Sequence, residues 1–501
     1  MGESLTRSTY RLASSQLVVN VGTTVLTFML LRVAPPEDVA IIPLVLLLGS
    51  IVGVVLRLGS GTQILRWLPR LQENPEQGDG DRRVEDVLSF GLWSAVVGMV
   101  FLVPIVPIIG LWLSLEHLQD RGIGEVAKLL SVVLVYGASQ NSPLWLQAVR
   151  DYRRLAHANA VSSLVEQVSV VVLYLLLGRD GLLLGLLLGR VVHMGYAYRC
   201  LSGLQLDRSR ILRGALRPPR WIREGQWHLA ANSFTRLILM RSDQIVIAAV
   251  LTSEDLAIYW VAYKLIAYVF IIAQSVYKPV VSEMAARFDV TSRLEDFSVR
   301  TGVTVAVAFG GVAAGVATIS GWFLKYYGGS EYIVGTLAMV VLAAYSFAYV
   351  GYSLPQSVIL ASRDAPRLLK TESLAALVGL ACTLAGGVFL GLPGVALGQL
   401  IGMLTAYAYS RHAVSPYVAM PSVDATFFRS GLLAMTLVGV AWLTGHTMSL
   451  VWGPLLALVV VSLYYTLQAV WVSRETVDLW TKIMPGPARR LLIRMGGGQL
   501  A

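Results

Sequence analysis

The sequence predicts an all-α polytopic membrane protein of about fourteen transmembrane helices, built as two pseudo-symmetric six-helix bundles followed by two further helices. Three observations carry that prediction. The 501 residues are 55% hydrophobic and only 14% charged, with a mean hydropathy of +0.65, which overrides the several soluble domains that length alone would suggest. Apolar runs of about 20 residues, enough to cross a roughly 30 Å hydrocarbon core, recur from end to end between short polar turns. A sequence echo at a nearly constant offset then divides most of the chain into two copies.

The first span, 10–32, follows a polar and lightly basic start from Met1 to Arg11. It lacks a small-residue cleavage site and carries Gln16 and Asn20 inside the apolar run, so it reads as a retained helix and not as a removed signal. Five more spans complete the first copy, at 38–66, 86–115, 125–149, 155–177 and 180–201. The second copy comprises 227–250, 255–282, 299–324, 332–361, 367–390 and 393–413, and the additional pair is 427–446 and 449–473. Gln140 and Asn141 before Pro143, and Pro355 before Gln356, interrupt their spans with a proline beside an amide, a pattern that frees backbone groups and marks hinges.

The echo has two parts. Glu37-Asp38-Val39-Ala40-Ile41 opens the second span and Glu254-Asp255-Leu256-Ala257-Ile258 the eighth (254 − 37 = 217). Gly181, Gly185 and Gly189 in the sixth span match Gly394, Gly398 and Gly402 in the twelfth (394 − 181 = 213). Six crossings return the chain to its starting side, so the copies share one topology and are related by an axis along the membrane normal. The expected organisation is an N-terminal lobe at 1–203, a basic linker at 204–226, a C-terminal lobe at 227–415, two more helices within 416–473 and a tail at 474–501.

The net charge of +10 would suit nucleic acid or anionic lipid, and its placement decides between them. Basic residues fall in every second connection: Arg66, Arg70, Arg82 and Arg83, then Arg150, Arg153 and Arg154, then six arginines from Arg208 to Arg223, and onward to Arg494. That alternation is a membrane topology with both termini cytoplasmic, which an even number of spans requires. The partners expected from it are membrane lipids and no nucleic acid. Two cysteines, Cys200 and Cys382, stand far apart without histidines at ligand spacing, so neither a disulfide framework nor a metal site is expected. The histidines are scattered and no Gly-rich phosphate loop occurs, so catalytic residues and cofactors are not expected either.

Ionisable side chains at bilayer depth are expensive and each needs a partner or a purpose. Residue counting from the span ends places Glu166, Arg190, Arg236, Arg241, Asp243 and Lys264 in the middle region, with Arg57 and Lys278 nearer the surface where long side chains snorkel. Glu166 and Arg190 lie at matched depths on adjacent spans, as do Asp243 and Lys264, and both couples are expected to be structural ion pairs. Arg236 and Arg241 are then the candidates for substrate, because the planar guanidinium fork suits phosphate or carboxylate; the competing reading has one of them sharing Asp243 or bonding loose backbone carbonyls. Gln16, Asn20, Thr23, Thr24 and Thr27 form a polar stripe on the first span, and at the offset of 217 Thr24 maps onto Arg241 and Gln16 onto Ser233. Such a stripe either glues helices or lines water. Repeat symmetry places the two stripes across the axis, so Gln16, Asn20 and Thr24 join the candidate site, with Tyr263 and Lys264 from the eighth span and Tyr263 available to stack on sugar rings.

The run Arg241-Ser242-Asp243-Gln244-Ile245-Val246-Ile247, followed by Tyr259, Ala262-Tyr263 and Pro279, resembles the start of the second lobe in polysaccharide transporters of the O-antigen flippase type. Leu31 through Glu37-Asp38 to Leu65-Arg66-Trp67-Leu68-Pro69 resembles that family's first two helices, and the likeness in layout extends over about residues 10 to 473. These transporters belong to the multidrug/oligosaccharidyl-lipid/polysaccharide (MOP) exporter superfamily. The resemblance implies a V-shaped pair of six-helix bundles in a bacterial inner membrane, a cationic central cavity, alternating access, and export of polyprenyl-diphosphate-linked saccharide units. It further implies a glycan polymerase and glycosyltransferases of the same pathway as partners. The multidrug branch relies on an acidic residue in the first helix, and the first span here has none, which favours the saccharide branch. Two other readings remain: a drug or small-solute antiporter on the same fold, against which the surplus of cations counts, and a membrane glycan polymerase or ligase, against which the short external connections count.

Overall fold

The computed structural model describes residues 22–61, 63–64, 84–116, 123–140, 152–202, 208–216, 218–223, 226–287, 291–362, 364–443 and 452–471. Among these every regular element is helical. Apart from short helical turns at Arg220–Arg223, Leu324–Gly328 and Ser330–Gly335, in chain order they are α1 (Gly22–Val33), α2 (Pro36–Arg57), α3 (Val84–Glu116), α4 (Ile123–Ser139), α5 (Tyr152–Leu177), α6 (Arg179–Ser202), the short α7 (Arg208–Leu216), α8 (Gln226–Val250), α9 (Ser253–Arg287), α10 (Thr291–Phe323), α11 (Thr336–Ser362), α12 (Ala365–Val414), α13 (Pro421–Leu443) and α14 (Trp452–Trp471). Leaving α7 aside and counting the two arms of α12 separately, they correspond in order to the fourteen expected spans. The chain is a multi-pass membrane protein: nine of the described helices are long and apolar enough to cross a bilayer.

Local chemistry explains where the spans start. Pro35 is extended at the N-cap of α2, Pro36 holds its first turn, and Glu37 and Asp38 complement the positive end of the helix dipole. The matching motif opens α9 with a reciprocal cap, in which Thr252 Oγ1 accepts from Asp255 N at 3.1 Å and Asp255 Oδ2 accepts from Thr252 N at 3.2 Å. Leu164, Leu175 and Leu176 on α5, and Leu377, Val388 and Phe389 on α12, are large apolar side chains turned outward, as a hydrocarbon environment requires.

Contacts divide the chain into two compact units, Met1–Ala257 and Ile258–Ala501. The division falls in the first turns of α9, one helix beyond the basic linker at which the repeat begins its second copy.

The repeat is written into the packing of each unit. In the first, α5 and α6 form a hairpin that turns at left-handed Gly178 (φ 60°), and a Cβ on Gly181, Gly185 or Gly189 would collide with Leu173, Val170 or Glu166 across the seam. In the second, α12 is itself a hairpin turning at left-handed Gly391 (φ 63°), and a Cβ on Gly394, Gly398 or Gly402 would collide with Gly386, Thr383 or Gly379. Each of these seven positions maps onto its counterpart at one offset (391 − 178 = 213; 386 − 173 = 213; 379 − 166 = 213). Glycine removes the side chain that would otherwise hold two membrane helices apart.

The two helices beyond the repeat pack on α10 and α11 of the second unit. Gly310, Gly311 and Gly315 leave a groove on α10 that Tyr464, Tyr465 and Val461 of α14 fill, and Tyr465 donates to Ala308 O at 2.7 Å. Phe427 of α13 stacks on Phe347 at 4.4 Å and on Tyr407 at 4.8 Å between centroids. Asp424 closes the same contact, accepting from Tyr407 Oη at 2.6 Å and from Arg411 Nε at 3.0 Å. Deeper in that unit, fully buried Glu372 accepts from Tyr352 Oη at 2.6 Å and Gln356 Nε2 at 2.9 Å.

Two predictions follow from these contacts. Gly185→Leu and Gly398→Leu should each destabilise the detergent-solubilised protein by about 1–3 kcal/mol through overpacking, whereas Gly195→Ala, at a site with open space around it, should leave the thermal unfolding midpoint unchanged. Asp424→Ala should cost about 1–3 kcal/mol by stripping the shared acceptor from Tyr407 and Arg411, with Asp424→Glu recovering part of it in the same melting assay.

Candidate functional site

The site is a cavity of about 350 Å³ inside the first unit, walled by α2, the end of α4 and α8. Its construction begins where α2 stops. After Arg57 the backbone turns left-handed at Leu58 (φ 41°) and Gly59 (φ 80°), a conformation a non-glycine residue adopts only under constraint. A Cβ on Gly59 would lie 2.8 Å from Ala230 N and 2.9 Å from Gln226 O, so the missing side chain lets the first turns of α8 abut the end of α2. That contact presents Ser233, Arg236, Leu237, Met240 and Arg241, which share one face at spacings of three to four, to the cavity.

The opposite wall depends on a second glycine seam. Gly49 accommodates the ring of Tyr136, Gly53 the amide of Gln140, and Gly137 the side chain of Val52, which draws α2 and α4 together. Across the seam Arg57 donates from Nη2 to Gln140 Oε1 at 3.1 Å and from Nε to Gly53 O at 2.9 Å, while Gln140 Nε2 donates to Ser50 Oγ at 3.4 Å. Three guanidinium-bearing residues, Arg57, Arg236 and Arg241, therefore line one cavity, and no carboxylate is among its described lining residues.

The structure distributes the sequence-predicted residues unevenly. Arg236 and Arg241 come together in the cavity. Glu166 and Arg190 stand 3.2 Å apart across the α5–α6 seam, and Arg190 also donates to the Tyr136 hydroxyl and lies 4.1 Å over its ring. Asp243 is fully buried on α8 and accepts from Gln244 N at 2.8 Å. Lys264 and Tyr263 belong to the second unit, where the ammonium sits 4.5 Å over the Trp260 ring and the phenol packs 5.8 Å from Phe270. Thr24 is half-buried on α1, and its neighbour Thr27 donates to Gln167 Oε1 at 3.4 Å. Gln16 and Asn20 lie outside the described residues, as do Asn141 and Pro143.

Residue counting did not bring Arg57 or Gln140 to the site. Counting puts Arg57 near a surface, but its Nε bonds the carbonyl one turn back, so the side chain runs inward along α2 and not outward. The legible signal was the pairing of Gly49 and Gly53 with an amide in an otherwise apolar facing span. No group of three or more His, Cys, Asp or Glu side chains is placed to hold a metal ion among the described residues.

Comparison with known proteins places this geometry in context. The fold is similar to that of the lipid II flippase MurJ in its inward closed conformation, with a TM-score of 0.68 at 12% identity, covering 91% of this chain and 98% of that one. It is also similar to an inward-facing multidrug resistance MATE transporter of the MOP superfamily (TM-score 0.62, 15% identity, 80% of this chain and 95% of the other). The eukaryotic MATE transporter AtDTX14 aligns at a TM-score of 0.60 and 13% identity over 85% of this chain and 98% of its own. No curated protein sequence matches the chain. The sequence profile described as polysaccharide biosynthesis protein matches residues 29–336, which spans the whole cavity. That match covers more than half of the chain, and the chain belongs to the polysaccharide biosynthesis protein family.

Proposed function

We propose that the protein is a flippase that moves lipid-linked saccharide units, joined to a polyprenyl diphosphate, across the cytoplasmic membrane by alternating access, with both termini cytoplasmic. The observation that carries this reading is that Arg57, Arg236 and Arg241 line one cavity whose described lining residues include no carboxylate. Guanidinium groups gathered on the walls of one cavity make it attractive to an entering anion. The guanidinium fork matches diphosphate oxygens two at a time.

Size supports the same division of labour. A volume of about 350 Å³ is near the low end for small-molecule sites and accommodates a diphosphate with its first sugar, so the cavity grips the part common to all such lipids. The polysaccharide biosynthesis family supports a saccharide cargo, and glycosyltransferases and a glycan polymerase of the same pathway are the partners such a cargo requires. The cation surplus disfavours the cationic drugs that an antiporter on this fold would carry.

Arg236→Ala and Arg241→Ala should each lower surface glycan in a strain lacking the gene by about 10- to 100-fold, the effect of losing one charge-assisted hydrogen bond of about 1.5–3 kcal/mol. Membrane levels of both variants should match the parent. Full restoration of surface glycan by both would refute the cationic site.

A further inference from the structure

Arg57 has an unusual set of partners for a half-buried guanidinium in a membrane protein. Among the described residues its acceptors are two neutral oxygens, Gly53 O at 2.9 Å and Gln140 Oε1 at 3.1 Å. Arg190, in the same unit, is instead neutralised by Glu166. The difference matters because an arginine held by a carboxylate has lost most of its attraction for another anion, whereas one held by an amide keeps its full charge.

We infer that Gln140 is a positioning residue of the transport site: its amide fixes Arg57 towards the cavity while leaving the charge available to the cargo's anionic group. The inference rests on the flippase reading above and goes beyond it by assigning how the cation is held. The amide is itself anchored, since Nε2 donates to Ser50 Oγ at 3.4 Å and Ser50 Oγ donates to Leu46 O at 2.6 Å. Space for it is made by Gly53, where a Cβ would come within 3.2 Å of Gln140 Oε1. Ser50, Arg57 and Gln140 all line the cavity. At the offset that relates the second span to the eighth, Gln274 stands where Arg57 does (274 − 57 = 217), so the cation belongs to the first copy. A cation present in one copy alone is a specialisation of that copy and not a requirement of the shared fold.

The test separates holding from neutralising. Gln140→Glu keeps shape and acceptor, so a purely structural role predicts unchanged or higher thermal stability and unchanged ligand binding. The positioning role predicts the same stability with binding of inorganic pyrophosphate to the purified full-length protein weakened by about tenfold, because the new carboxylate pairs with Arg57. Gln140→Met, isosteric and uncharged, should weaken pyrophosphate binding several-fold by releasing Arg57, and it decides the matter should the glutamate variant fail to fold. Arg57→Ala, measured alongside, separates the two claims. If Arg57→Ala, Arg236→Ala and Arg241→Ala all bind pyrophosphate and export glycan as the parent does, the flippase site itself is wrong. If Arg57→Ala is impaired but Gln140→Glu or, in its place, Gln140→Met binds like the parent, the inference about Gln140 is overturned.

Discussion

Water does little to press membrane helices against each other, so they must be brought together by shape, and in this protein glycine sets the distances. The seam between α5 and α6 allows Glu166 to reach Arg190; the seam between α2 and α4 allows Gln140 to reach Arg57; and Gly59 allows the α8 backbone to rest on the end of α2. The polar contacts that join one helix to another at these seams lie beside glycines that let the helices approach. The chemistry of the cavity is in that sense a by-product of missing Cβ atoms.

The same logic separates what the two copies share from what they do not. The turn glycines Gly178 and Gly391 and the seams beyond them are equivalent residue by residue, so the hairpin is an inherited packing unit. The charges riding on it are not inherited: Glu166 and Arg190 correspond to Gly379 and Met403 (403 − 190 = 213). The second unit places its own buried acid, Glu372, against Tyr352 and Gln356. Duplication preserved the scaffold and left each copy free to acquire its own polar interior.

Much of this was legible in the residues. Span positions followed from apolar length, and the observed helices begin and end within a few residues of expectation along most of the described chain, because that signal is a property of each segment by itself. The Glu166–Arg190 couple was legible because both residues are counted from one short turn. The placement of Arg57 was not, because it depends on which way a flexible side chain runs after the helix breaks at Leu58, and one of its acceptors, Gln140 just past the end of α4, is 83 residues away. Counting fixes depth along one helix; it says nothing of which neighbour a side chain meets.

The groove on α10 carries a consequence for how that helix completes its packing. Gly310, Gly311 and Gly315 leave bare backbone that Tyr464, Tyr465 and Val461 of α14 cover together with Ser430 of α13, and α14 is the last described helix in the chain. The residues that fill this notch come later in the chain than α10 itself, so the helix cannot complete its packing from its own neighbourhood in sequence. Closure of that face of α10 is therefore set by chain order, since Tyr464 follows Gly310 by 464 − 310 = 154 positions.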